Sequence, residues 1–301
     1  MTPRIGIIGG SGLTSLPELG ASERVVVESG FGPPSGAVLL GRLSGVDVAF
    51  LPRHGVAHSV DPARINARGN IDALKRVGCT QVVSLSAVGS LREDIPPGCF
   101  VLVDQFIDRT HGRASTFFDE GVAAHVAFGD PVCGRMRAQA EAACREQAIP
   151  HASDGTYVVM NGPQFSTRAE SQLHRQWGAS VIGMTALPEA KLAREAELCF
   201  LCVAMPTDYD CWHDVEGAVT ADRVSEVMRK NQRNVLALLG ALLPKLAAQP
   251  PPCERGCHHA LDGAVMTAVA FIEEHDDPRT RHLLARWLRA QREGAGARPS
   301  R

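Results

Sequence analysis

The sequence predicts an α/β protein built on a mixed, mostly parallel central sheet flanked by helices. Three observations lead there. Strand candidates alternate with helix candidates along most of the chain. Several strands, Leu198–Met205 foremost, are apolar without a break, as strands covered on both faces are. The first strand runs directly into a glycine-rich loop, Gly9-Gly10-Ser11-Gly12.

The first strand is the short apolar run Arg4–Ile8. Ala37–Leu40 and Val46–Leu51, joined by a Gly41/Ser44-Gly45 turn, read as a hairpin. Asp61-Pro62 opens a helix to about Val77, with Ile65, Ile71, Leu74 and Val77 near helical spacing and Gly78 as its stop. Val82–Leu85 and Cys99–Val103 are further strands, around the Gly89 loop and the Pro96-Pro97 turn. A helix from Pro131 to about Gln147 precedes a strand at Tyr157–Met160. Ser166-Thr-Arg-Ala-Glu170 is a cap-like start for a helix to Trp177. Strands at Val181–Ile182 and Leu198–Met205 flank a helix over Pro188–Glu195, and a long helix, Ala221–Leu246, closes the core. Gln249-Pro-Pro-Pro252 marks the one clear boundary, giving a main domain at 1–248 and a helical extension at 249–301. His258–Glu274 and Pro278–Gln291 read as two amphipathic helices within that extension, and Gly294–Arg301 as a frayed end.

A formal net charge of −2 gives no electrostatic reason to expect nucleic acid or an anionic membrane as partner. No apolar run reaches the ~18 residues of a membrane span, and no signal-peptide pattern precedes the first strand, so a cytoplasmic location is expected. Nine cysteines do not make a secreted framework. Cys199 and Cys202 lie three apart on a strand and so point to opposite faces, which makes them core rather than a metal or redox pair. Cys253, Cys257, His258 and His259 lack a second ligand pair at zinc-finger spacing and read as a surface loop and helix start. No metal is expected.

The glycine loop is neither a dinucleotide fingerprint, since Ser15 stands where the third glycine belongs, nor a Walker loop, since no Gly-Lys-Ser/Thr follows. It is either a plain tight turn or a small-anion loop made of backbone N–H groups and the Ser11 hydroxyl. Arg53-His54-Gly55 adds a guanidinium fork and an imidazole at another strand end. Ser84-Leu-Ser86-Ala-Val-Gly89 and Thr185 add hydroxyls and N–H groups at two more. Ligands of open α/β sheets gather at strand carboxyl ends, so four such ends offering anion ligands favour the anion reading.

Ile5-Gly-Ile-Ile-Gly-Gly-Ser-Gly-Leu13, Arg53-His54-Gly55, Ala87-Val-Gly-Ser-Leu-Arg92, Asp104-Gln-Phe-Ile-Asp-Arg-Thr110, Gly162-Pro-Gln-Phe-Ser-Thr-Arg-Ala-Glu170, Met184-Thr-Ala-Leu-Pro-Glu189 and Thr207-Asp-Tyr-Asp-Cys-Trp212 occur in that order. Together, over about residues 4–246, they resemble the methylthioadenosine phosphorylases of the trimeric purine nucleoside phosphorylase superfamily. The resemblance implies a three-layer phosphorylase/hydrolase-like fold and a pentosyltransferase. Its expected reaction is phosphorolysis of S-methyl-5′-thioadenosine, in methionine and purine salvage, to adenine and 5-methylthioribose 1-phosphate. It implies no cofactor, since inorganic phosphate is a co-substrate. It implies a homotrimer; a hexamer is an open alternative.

By position, the resemblance implies phosphate contacts at Ser11, Arg53, His54, Ser86, Ala87 and Thr185. It implies substrate contacts at Met184 (ribose), Phe165 (purine), Asp208-Tyr209-Asp210 (base) and His125, which reaches the neighbouring subunit's site. Ser166 and Ala221 match the positions that discriminate the 5′ substituent, where the familiar valine is replaced by the smaller Ala221. Ser11 and Ser86 stand where threonines are common, and Pro206 before Thr207 is a further departure.

Asp208-Tyr-Asp210 taken alone would read as a solvated turn. In a dry site, desolvation and mutual repulsion favour keeping one proton between two nearby carboxylates. A protonated Asp208 can serve adenine N7, and an ionised Asp210 can accept from the 6-amino group. A 6-oxopurine would aim an acceptor at Asp210, at a cost of several kcal/mol, or about 10^3-fold or more in selectivity. The competing expectations are a 6-oxopurine or methylthioinosine phosphorylase on the same fold, a hydrolytic nucleosidase, and a non-enzymatic nucleotide-binding protein.

Overall fold

A computed structural model describes residues 3–13, 16–20, 22–55, 57–213, 221–248 and 252–296. The first half contains β1 (Arg4–Gly9), β2 (Glu23–Val25), β3 (Val38–Leu43), β4 (Val46–Pro52), α1 (Ala67–Arg76), β5 (Cys79–Ser90), β6 (Phe100–Leu102) and β7 (Gln105–Arg109). There follow α2 (Gly134–Glu146), β8 (His151–Ala152), β9 (Thr156–Met160), α3 (Arg168–Gln176), β10 (Val181–Gly183), α4 (Ala186–Glu195) and β11 (Cys199–Tyr209). The helices α5 (Ala221–Ala247), α6 (Val269–His275) and α7 (Arg281–Gly296) complete the chain.

The strands form one mixed sheet in the order β2-β3-β4-β1-β5-β10-β9-β7, with β11, β6 and β8 branching from β5. Its centre is parallel: β1 pairs in parallel with β4 and β5, and β5 with β11. The pleat separates two apolar layers. Along β11, Cys199, Leu201, Val203 and Met205 enter the cluster with α2 and α5, whereas Phe200, Cys202 and Ala204 enter the one with α1 and α4. Period-two alternation explains the split and places Cys199 and Cys202 on opposite faces, as their spacing requires.

Local chemistry accounts for several element boundaries. β3 and β4 turn through Ser44 (φ 50°) and Gly45 (φ 78°), the paired positive φ angles of a tight hairpin turn. The helix expected from Asp61 starts later. Asp61 caps only the 3-10 turn Pro62–Arg64, and Asn66 then caps α1 by accepting from the Gly69 N–H. Thr167 and Glu170 form a full capping box on α3.

The segment after Pro252 packs on the core. Leu261, Ile272, Leu283, Leu284 and Trp287 join the apolar cluster of Leu74 and Phe200. Arg286 grips the buried Glu197 carboxylate with two bonds of 2.6 Å, and the ring of His282 approaches Asp72 to 2.6 Å. Cys253 and Cys257 are buried, not on a surface loop. Among the described residues, no helix is long and apolar enough to cross a membrane.

Candidate active site

The site forms where β5 ends. This strand runs twelve residues and is flanked there by antiparallel β10 and parallel β11. Two chemically different groups of side chains meet along its last seven positions, Ser84–Ser90.

One group is cationic and hydroxylic. Arg53, just past β4, is 1% exposed. Its Nε donates to Glu189 Oε1 (2.6 Å), Nη2 to Glu189 Oε2 (3.1 Å) and Ser84 Oγ (2.8 Å), and Nη1 to the Leu85 carbonyl (2.8 Å). Burial disfavours the cation, but the Glu189 charge and hydrogen bond outweigh it and leave the guanidinium more basic than usual. Gly10 must be glycine: a Cβ there would sit 2.6 Å from Arg53 Nη1 and 2.7 Å from the Leu85 oxygen. The glycine loop is thereby held against Arg53 and β5. Ser86 Oγ lies 3.3 Å from Thr185 Oγ1, and Ser11 and Ala87 line one cleft with Met205, Thr207 and Asn231. His54 is buried with Nδ1 2.9 Å from the Val60 carbonyl, and burial pushes its pKa below the ordinary 6.5. The Nδ1 proton is thus committed to Val60, which leaves Nε2 as an acceptor on the neutral ring.

The second group is acidic. A Cβ at Gly89 would come 3.3 Å from both Asp208 Oδ1 and Asp210 Cβ, so the two aspartates flank one point on β5. A bulge between Pro206 and Asp208 sets this register. Pro206, which has no N–H, lies past the stretch of β11 that β6 covers, and its carbonyl accepts from Gly98 N–H (2.9 Å) and Asn231 Nδ2 (3.1 Å). Thr207 Oγ1 donates to Asp208 Oδ2 at 2.7 Å. Asp210 is buried, and among the described residues its Oδ2 has no hydrogen-bond partner.

The remaining expected positions fall as follows. The Ser166 carbonyl accepts from Cys211 Sγ (3.3 Å), next to Asp210. Tyr209 turns its hydroxyl to the Glu93 carbonyl (3.2 Å) and stacks on His213. Met184 is half-buried, and Phe165 and His125 are exposed on the single chain. Ala221 opens α5, and its side chain lies outside the described residues.

Sequence reasoning did not single out Glu189 or Arg113. Glu189 is fully buried and is the counter-ion of Arg53; a lone glutamate inside the apolar stretch Ala186–Ala190 was the signal available. Arg113 Nη1 donates to the Met184 (2.7 Å) and Leu187 (2.9 Å) carbonyls and Nη2 to the Asn161 carbonyl (2.7 Å). It fixes the backbone that carries Met184 and Thr185, and nothing in its local sequence marks it.

A cationic, hydroxyl-rich group and a pair of aspartates thus meet at the end of one strand, β5, and comparison with known proteins specifies the class. The model of the phosphorylase superfamily matches residues 4–244, and the chain belongs to that superfamily. It is 49% identical to the S-methyl-5′-thioadenosine phosphorylase of Rhodospirillum rubrum over 265 residues, 88% of this chain and 90% of that one. Identity to the Koribacter versatilis S-methyl-5′-thioadenosine phosphorylase is 46%, over 98% of this chain and all of the other. Among solved structures, a methylthioadenosine phosphorylase from an antarctic soil metagenomic library superposes with a TM-score of 0.88 at 42% identity, covering 94% of this chain and 100% of that one. The Schistosoma mansoni methylthioadenosine phosphorylase in complex with adenine gives 0.79 at 36% identity, covering 82% and 93%.

Proposed function

We propose that the chain is a pentosyltransferase that cleaves S-methyl-5′-thioadenosine with inorganic phosphate, releasing adenine and 5-methylthioribose 1-phosphate. The observation that carries this reading is the buried Asp210 Oδ2, which has no donor among the described residues and sits beside Asp208 at Gly89. A buried acceptor without a partner is costly, and the 6-amino group of adenine supplies the missing donor. Ala87 and Gly89 are two residues apart on one strand and share a face, about 7 Å apart, so phosphate and base can lie at the two ends of one sugar.

In this reading phosphate lies among Ser11, Ser86, Thr185, the Ala87 backbone and the remaining Nη1 hydrogen of Arg53. The neutral His54 Nε2 accepts the P–OH proton. The C1′–N9 bond stretches first and its electron pair passes into the purine, while Asp208 delivers a proton to N7. A phosphate oxygen then bonds to C1′ of the oxocarbenium-like sugar. Electrostatic placement supplies most of the rate, with about 10^2–10^4-fold from the acid. The residues that do this are all side chains or backbone of the protein, so the reaction as drawn uses no metal or cofactor.

Met184 packs on the ribose, Phe165 on the purine, and Ser166 with Ala221 bounds the 5′ end. Tyr209 holds the strand between the two aspartates. The exposure of Phe165 and His125 supports a homotrimer in which neighbours complete each site. The test is a side-by-side assay of methylthioadenosine, adenosine and methylthioinosine with phosphate present. The reading expects methylthioadenosine to have the highest kcat/KM, and a preference for methylthioinosine would overturn it.

A further inference from the structure

Four cysteines from three separate segments of the sequence meet far from the site just described. Cys133, at the N-cap of α2, Cys199, at the start of β11, and Cys253 and Cys257, after the proline boundary, are all buried, with Sγ atoms within 4.8 Å of one another. Cys133 and Cys253 are 3.7 Å apart. Zinc–thiolate bonds of about 2.3 Å in a tetrahedron put the sulfurs about 3.8 Å apart. The cluster therefore has nearly the dimensions of a tetrathiolate metal site.

We propose that Cys133, Cys199, Cys253 and Cys257 bind one Zn²⁺ ion in a closed structural site. Each thiol releases its proton on coordination, giving a complex of charge −2 in an otherwise apolar layer. The surroundings suit that charge. Arg135, itself 9% exposed, holds Nη2 3.7 Å from Cys199 Sγ and 2.9 Å from Gln81 Oε1. His258 Nδ1 accepts from the Cys253 N–H at 2.8 Å, which fixes its proton on Nε2. That Nε2 lies 3.0 Å from the Thr80 carbonyl and 3.8 Å from Cys199 Sγ. Donors that orient and neutralise the ligands are the usual outer shell of a metal centre.

Four sulfurs drawn from three separate segments also suit a single ion better than any one cross-link. The ion ties the segment after Pro252 to α2 and to the sheet. Cys199 and Asp208 lie nine residues apart along β11, about 30 Å, so the site is a clip that leaves the chemistry alone. The sequence hid it because Cys133 and Cys199 are 66 positions apart and form no spacing motif with Cys253-x3-Cys257.

The test measures metal content of the intact protein purified under reducing conditions without chelator. One zinc per chain is expected, released in step with titration of the thiols by a mercurial. Replacement by Co²⁺ should give the thiolate charge-transfer and intense d–d bands of tetrahedral cobalt. Cys257→Ser should lose the ion and lower Tm while kcat and KM stay within twofold, and Cys99→Ser, outside the cluster, should keep it. Reduced protein without zinc that gives no tetrahedral cobalt spectrum would overturn the proposal. So would peptide mapping that finds these cysteines joined as disulfides.

Discussion

Arg53 and Glu189 form a two-bond ion pair, 2.6 and 3.1 Å, with both side chains 1% exposed. Glu189 also takes the Ser84 hydroxyl at 2.8 Å. The guanidinium is thus fixed in the core, facing the glycine loop, before any ligand arrives. Pre-organisation of this kind would spare reorganisation on binding of the proposed phosphate.

Glu189→Ala should therefore destabilise the protein by about 3–5 kcal/mol, because it leaves a buried cation uncompensated. Urea unfolding measures this. Arg53→Lys cannot reproduce the fork and should raise KM for phosphate more than KM for the nucleoside. A change confined to the nucleoside KM would remove Arg53 from the anion site.

Ser86→Ala and Thr185→Val each delete one hydroxyl from the proposed phosphate site. A hydrogen bond to a charged group is worth about 1.5–3 kcal/mol, or roughly 10–100-fold in affinity. Each variant should weaken phosphate by that factor, read from phosphate saturation curves, with Tm little altered.

The acidic end should respond differently. Asp208→Asn removes the proton donor and should lower kcat by about 10^2–10^4-fold. Asp210→Asn gives the site a donor where it had an acceptor, so relative kcat/KM should move toward methylthioinosine. Unchanged selectivity in Asp210→Asn would refute the assignment of Asp210 to the 6-amino group.

Stability should depend on pH through three histidines. Burial lowers the pKa of His54, His174 and His258 below 6.5. The unfolded chain then binds protons that the folded chain refuses, so stability is complete above pH 6.5 and falls as pH drops below it. Tm should be flat from pH 8 to 7 and decline toward pH 5, and His54→Asn should lessen that decline. A Tm that rises on acidification would contradict the burial argument.

The layered order of strands and helices was legible because continuous apolar runs and capping residues are local signals. The Thr167–Glu170 cap and the Ser44-Gly45 turn show this directly. Strands β2, β7 and β8 were not read, since two to five half-exposed residues at sheet margins carry little periodicity. The family followed from seven collinear motifs. Glu189, Arg113 and the cysteine cluster stayed hidden because each acts through partners distant in sequence: Glu189 lies 136 positions from Arg53, and Arg113 lies 71 from Met184.

The most direct test of the account follows methylthioadenosine cleavage with and without inorganic phosphate and identifies the sugar product. The account predicts adenine release that saturates with phosphate and yields 5-methylthioribose 1-phosphate in equal amount. Cleavage at the same rate without phosphate, yielding free methylthioribose, would contradict it.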